Sequence, residues 1–137
     1  MQQRFTFKKH ERLTHRKVID QLFQEGAALK QYPLMLLALS NPHPTEEALQ
    51  VVVVVSKRNF KRAVDRNRIK RLMRESWRHH KNALREEIAA AGMHLAVALV
   101  FNGKELPEFT EVDAKISELC IRLKEDIPKF PDQGESS

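Results

Sequence analysis

The sequence predicts an α+β fold. We expect a two-layer sandwich in which three helices pack on a four-stranded mixed sheet, in the order α-β-β-β-α-β-α. Three observations carry this. Residues 51–55 are five consecutive valines, a β-branched run suited to a buried strand. Residues 63–91 carry an apolar stripe at helical spacing and are stopped by Gly92, so one long helix is expected there. Around them, short apolar runs alternate with turn residues, and no Pro/Gly/Ser linker divides the chain. Layered helices against a small sheet bury such faces. The length, 137 residues, is that of one domain. That domain is predicted over residues 1–127, with 128–137 as a disordered tail.

Taken in order, residues 1–12 are polar and basic, with Phe5 and Phe7, and read as an extended arm. Thr14 is the predicted N-cap of the first helix, with Leu13 and Val18 as a hydrophobic staple. Val18, Ile19, Leu22 and Phe23 fall on one face, and Gly26 ends the helix. Residues 27–32 and 34–39 read as strands separated by Pro33. Asn41-Pro42-His43-Pro44-Thr45 is turn chemistry. The strand at 49–55, with its valine run, is predicted to be central and buried on both faces. A basic connection, 56–62, leads into the long helix. Residues 93–101 form the last strand. Asn102-Gly103 and Pro107 mark a loop. Thr110 and Asp113 look like a capping pair for a third helix ending near Asp126, with Val112, Ile116, Leu119, Cys120 and Leu123 inside.

Composition excludes several classes. No apolar stretch is long enough to span a membrane, and the start MQQRFTFKKHER has no apolar signal region. A single cysteine, Cys120, forbids an internal disulfide and points to the cytoplasm. The net charge is +6, and a small basic domain has nucleic acid as its default partner.

Where the charge sits says more. The window 57–85 holds twelve cations against two acids, Asp65 and Glu75, so it carries +10 and the remaining chain −4. On a helical wheel with Ile69 at zero, Ser76, His80, Met73, Leu84, Trp77 and Ile88 fall between about −20° and 100°. That is the buried stripe. Lys81, Arg74, Asn67, Arg85, Arg78 and Arg71 fall between about 120° and 200°. The ordinary explanation of a basic helix face is solvation with i,i+4 ion pairs. The stretch 66–74 contains no acid to make them, so a polyanion would relieve its self-repulsion. Arginines outnumber lysines here, which suits bidentate phosphate contacts. The basic connection before the helix adds the free N–H groups of a helix N-terminus.

Other chemistry lacks candidates. There is no Gly-rich phosphate loop and no G-x-S-x-G. Asp65 and Glu75 stand alone on the helix, whereas a protein-only nuclease needs clustered carboxylates to hold Mg²⁺. His79 and His80 point about 100° apart, and no zinc spacing occurs. Cys120 and Trp77 read as core.

The stretch from Ala63 through Arg66-Asn67-Arg68-Ile69-Lys70-Arg71 to Glu75 resembles the RNR signature of the bacterial ribonuclease P protein component. Ser56-Lys57-Arg58 resembles the strand end before that signature. Arg12-Leu13, Phe23 and Gly26 resemble the family's first helix. The likeness covers about residues 10–125.

The resemblance implies the accessory subunit of an endoribonuclease that removes the 5′ leader of precursor tRNA. The RNA subunit would perform the catalysis with its own Mg²⁺; the protein would supply no catalytic residue and bind no metal itself. Lys57, Arg58, Lys61, Arg62, Arg66, Asn67, Arg68, Lys70, Arg71 and Arg74 would contact that RNA. A cleft involving Arg12, Ile19, Phe23 and Leu37 would receive the leader of precursor tRNA, the second partner. A left-handed crossover around the long helix is also implied, against the usual hand. The chain departs from the family in having Asn59-Phe60-Lys61-Arg62 where a glycine is common. It also has Ile19 and Leu37 where aromatics are common. A structural, ribosome-associated RNA-binding role is the alternative. No membrane is an expected partner, since no apolar stretch spans one, and no DNA, since the basic helix has no turn-linked helix pair.

Overall fold

The computed structural model describes residues 11–127. Of the arm predicted over 1–12, only Glu11 and Arg12 lie among them, and the tail predicted over 128–137 lies wholly outside. Seven elements follow the expected order: α1 (Arg16–Glu25), β1 (Ala27–Gln31), β2 (Leu34–Ser40), β3 (Leu49–Val55), α2 (Ala63–Ala90), β4 (Leu95–Phe101) and α3 (Phe109–Asp126).

The sheet order is β1-β2-β4-β3. β1 pairs β2, and β2 pairs β4, antiparallel, while β3 runs parallel to β4. The sheet is therefore mixed, and β3-α2-β4 is a crossover unit. This order corrects the expected place of the valine run. β3 is an edge strand, and its burial alternates between buried and half-buried. The central position belongs to β4, Leu95–Phe101, buried at every residue. A continuous apolar run shows that a strand is desired on both faces, but long-range pairing decides which strand lies inside.

Helices cover both faces, so α1 adds a third layer to the sandwich expected from sequence. Val51, Val53 and Val55 join Leu36, Leu99 and Phe101 beneath α2 and α3. Ala96, Ala98, Val100 and Leu37 join Val18 and Leu22 of α1 on the other side. The period-2 alternation of strand side chains creates both faces from one run of valines. The predicted α2 stripe is buried at Ile69, Met73, Trp77, Leu84 and Ile88, each at most 1% exposed. Fully burying such a side chain contributes roughly 1.5–3 kcal/mol. His80 is only half-buried, and Lys81 is buried in its stead.

Three local signals resolve differently. α1 begins after His15 rather than Thr14, with no side-chain cap. α3 begins after Glu108, so Thr110 lies inside it. Gly26 ends α1 in an extended conformation, and glycine is needed there for space. A Cβ would stand 2.5 Å from the Leu22 carbonyl oxygen. Gly92, which ends α2, has φ +71°, the left-handed conformation glycine adopts without cost.

Candidate nucleic-acid interface

The connection between β3 and α2 is held at three points, which leaves its cations outward. Phe60 turns in, is 7% exposed and meets Phe101 with ring centroids 5.9 Å apart. Its N–H donates to the Ser56 carbonyl at 3.2 Å, and the Arg58 N–H donates to Ser56 Oγ at 3.1 Å. Asn59 Nδ2 donates to the Gly103 carbonyl at 3.3 Å. Arg66 closes the turn: its Nη1 donates to the carbonyls of Phe60 and Lys61 at 2.8 and 2.9 Å. Lys57, Arg58, Lys61 and Arg62 are exposed as a result. The sequence placed Arg66 with the contact residues; the structure also gives it the shaping of the loop. In this glycine-free loop, Phe60 supplies the anchor.

Along α2, Asn67, Arg68 and Arg71 are exposed, and Lys70 and Arg74 are half-buried. No ion pair reaches any of them among the described residues. Burial, and then the neighbouring Arg12 guanidinium, pull Arg74 below the usual arginine range. The far half of the stripe is different, which corrects the expectation of one open cationic face. Lys81 is 4% exposed and pairs with Glu11, itself 7% exposed. Arg85 pairs with Glu47, whose hydrogen bond holds Arg85 above its ordinary range against the opposing effect of burial. Neither acid lies on α2, so a search at i,i+4 spacing cannot find them. The open tract is the half of α2 that adjoins the basic loop.

On the opposite face of the sheet, α1 packs over β2 and β4, where Ala96 and Ala98 leave room for the helix. Beside α1 runs a strip of half-buried apolar side chains: Met35 and Leu39 of β2, Val52 and Val54 of β3, and Ile19 of α1 itself. Phe23, one turn beyond Ile19, is 48% exposed. It is therefore not a core residue and presents a ring to solvent. Leu37 is 6% exposed and lies in the cluster closed by Leu22 and Val18. It cannot line an open cleft as expected. The half-buried apolar side chains on that face are instead Met35, Val52 and Val54. Arg12 is exposed and bridges to Val51 on the outer edge of β3.

An apolar strip with an exposed phenylalanine suits unpaired bases, which stack on aromatic faces. Arg12, exposed at the β3 edge next to Val52, suits a backbone phosphate. Other polar groups are occupied. Ser76 Oγ donates to Asp113 Oδ1 at 2.7 Å, and His80 Nε2 lies 2.9 Å from the same oxygen. A carboxylate only accepts, so Nε2 carries the proton. Ser76 and His80 thus share an acceptor and do not form a nucleophile-base pair. Cys120 is buried, which pushes its thiol up to about 12. No described helix is long and apolar enough to cross a membrane.

A ribonuclease P family model matches residues 7–124. The ribonuclease P protein component of Porphyromonas gingivalis is 33% identical over 124 residues, covering 90% of each chain. That of Chlorobium phaeobacteroides is 37% identical over 134 residues, covering 88% of this chain and 90% of the relative. Two solved structures share the fold. The RNase P protein of Thermotoga maritima superposes with TM-score 0.64 at 24% identity, over 82% of this chain and 96% of that one. The Staphylococcus aureus RNase P protein gives 0.63 at 16% identity, over 82% and 94%.

Proposed function

This chain belongs to the ribonuclease P protein component family, and from that premise we propose how its two surfaces divide the work. Loop 56–62 and the first half of α2 dock on the RNA subunit through phosphates. The strip beside α1 holds the single-stranded 5′ leader of precursor tRNA. The protein thereby lowers repulsion between substrate and ribozyme and raises substrate affinity, while the RNA carries out hydrolysis with its own Mg²⁺. The cytoplasm is where this reading places it.

The observation that supports this most is the contrast along α2. Its far cations are neutralised by Glu11 and Glu47, whereas Asn67, Arg68 and Arg71 stand exposed with no acid partner among the described residues. Leaving one half of a stripe uncompensated fits a polyanion that completes it. Among the described residues no group of three or more His, Cys, Asp or Glu could hold a metal ion. No hydrolytic step is assigned to the protein in this reading.

The test is cleavage of precursor tRNA at low Mg²⁺ by a bacterial ribonuclease P RNA, with and without this protein. Stimulated release of an intact leader only when both are present is the expected result. Cleavage by the protein alone would overturn the division of labour. RNA binding without stimulation would favour a purely structural role.

A further inference from the structure

The register of the sheet brings three connections to one end of it. Phe101 closes β4 opposite Leu34, which opens β2, and beside Val55, which closes β3. The β1-β2 turn at Tyr32-Pro33, the loop after β4 and the basic connection before α2 therefore sit together. Asn59 Nδ2 reaches the Gly103 carbonyl, and the rings of Phe60 and Phe101 meet, so the loop after β4 is tied to the cationic one. Between that loop and the β1-β2 turn lies a pocket of about 400 Å³. Tyr32 and Leu106 line it and are 69% and 46% exposed. Five large apolar side chains stand exposed among the described residues, and two of them meet here. An open aromatic ring beside an open apolar side chain marks a surface suited to contact. The inner side is close-packed: a Cβ on Gly103 would stand 2.7 Å from Phe101 Cζ and 3.0 Å from Pro33.

The polar lining narrows the choice of occupant. Glu105 and Glu111 are exposed at the pocket, and no ion pair reaches either among the described residues. Two negative charges disfavour a phosphate inside. A carboxylate only accepts hydrogen bonds, so it suits a ligand with N–H donors. Guanine offers N1–H and N2–H side by side, on a flat ring that stacks on an aromatic side chain.

We propose that this pocket takes one unpaired guanine of the RNA subunit. The base stacks on Tyr32 and turns its N1–N2 edge to Glu105 and Glu111. Lys104 and the cations of connection 56–62 take the flanking phosphates. Phe101 belongs to the core beneath α2 and α3, so the pocket is separate from the strip beside α1. The proposal rests on the reading that the basic connection docks on the RNA subunit. It adds a contact to a base where the cationic tract contacts phosphates alone.

The experiment titrates the RNA subunit with the full-length protein across a salt series and probes the RNA with kethoxal, which attacks N1 and N2 of unpaired guanine. One guanine of the RNA subunit should be protected by the wild type and reactive again with Tyr32→Ala. That variant should weaken binding by about tenfold, within the range of one base-aromatic stack. The salt slope should not change, because no cation is lost. Tyr32→Phe keeps the ring and should keep the affinity. Glu105→Gln combined with Glu111→Gln should also weaken binding, although two negative charges are removed. Unchanged or tighter binding would show that the carboxylates merely repel RNA and would overturn the guanine assignment. This pair decides the matter if Tyr32→Ala melts early. Protection of an adenine alone, or of a guanine in precursor tRNA, would overturn the proposal as well. Arg68→Ala separates the two readings. If it weakens binding and Tyr32→Ala does not, the pocket alone falls; if neither does, the docking surface falls with it.

Discussion

Removing the carboxylate of Glu11 should be among the most damaging single changes in this protein. Its partner Lys81 is 4% exposed, Glu11 is 7% exposed, and they meet across 70 residues of sequence. A buried pair contributes little net stability, because desolvation offsets attraction. Breaking it by deleting one partner leaves a buried charge without its close counter-ion and costs about 3–5 kcal/mol. That is a large share of a total in the range of about 5–15 kcal/mol. At about 4 °C per kcal/mol for a domain of this size, the melting temperature of Glu11→Ala should drop by about 12–20 °C. Glu11→Leu combined with Lys81→Met should recover most of the loss, since apolar replacements of both partners are often neutral or better. Urea unfolding of Glu11→Leu, Lys81→Met and the double variant measures the coupling directly. A Glu11→Ala cost below about 1 kcal/mol, the scale of a surface pair, would refute the reasoning. It would mean that water reaches Lys81 and that the far half of α2 is not closed to a polyanion.

Arg68→Ala should leave thermal melting nearly unchanged, because the side chain is exposed, while lowering the salt slope of RNA-subunit binding by about one. A collapse in melting temperature would make Arg68 a structural residue. Phe23→Ala should weaken binding of leader-bearing precursor by roughly 1–3 kcal/mol, the worth of one base-aromatic stack, and leave leaderless tRNA alone; equal affinities in a titration would count against the ring as a platform. For Asp113, burial opposes the shift, but hydrogen bonds from Ser76 and His80, and the positive potential of His80 and His79, hold the carboxyl below its ordinary range. Its folded value lies below its unfolded one. The stability it contributes is therefore full above the ordinary carboxyl range and is lost as pH falls through the lowered value. Asp113→Asn should flatten that acid limb in urea midpoints measured from neutral pH to about pH 3. An unchanged limb would show that the α2-α3 contact does not depend on this charge.

The parts of the fold and site legible in the sequence are those governed by local geometry. The angular arithmetic of a long helix places Ile69, Met73 and Trp77 inward and Asn67 and Arg71 outward without knowledge of the rest. Element order likewise follows from short apolar runs and turn residues. What was not legible depends on partners far along the chain. Five valines in a row describe a strand with two apolar faces, yet β3 is an edge because β4 pairs between it and β2. Lys81 and Arg85 carry the same periodicity as Arg71 and Arg74. Only the return of residues 11 and 47 to α2 separates them. Leu37 is among the cleft residues the resemblance implies, but it lies in the cluster beneath α1, while Met35 on the same face is half-buried. Arg66 reads as one more cation until the loop it closes is folded.

The exposed flank of β3 has a consequence for behaviour in concentrated solution. A valine-rich edge strand is the kind of segment that zips copies of a chain together. Here Arg12 and Leu13 bridge part of the open flank at Val51, and Lys57 and Arg58 follow the last valine almost at once. Charges placed so close act as gatekeepers, since stacking copies in register would stack cations. The side chains that seek a polyanion therefore also keep the protein from seeking itself. Neutralising them to dissect RNA binding should bring precipitation along with lost affinity, most visibly when RNA is absent.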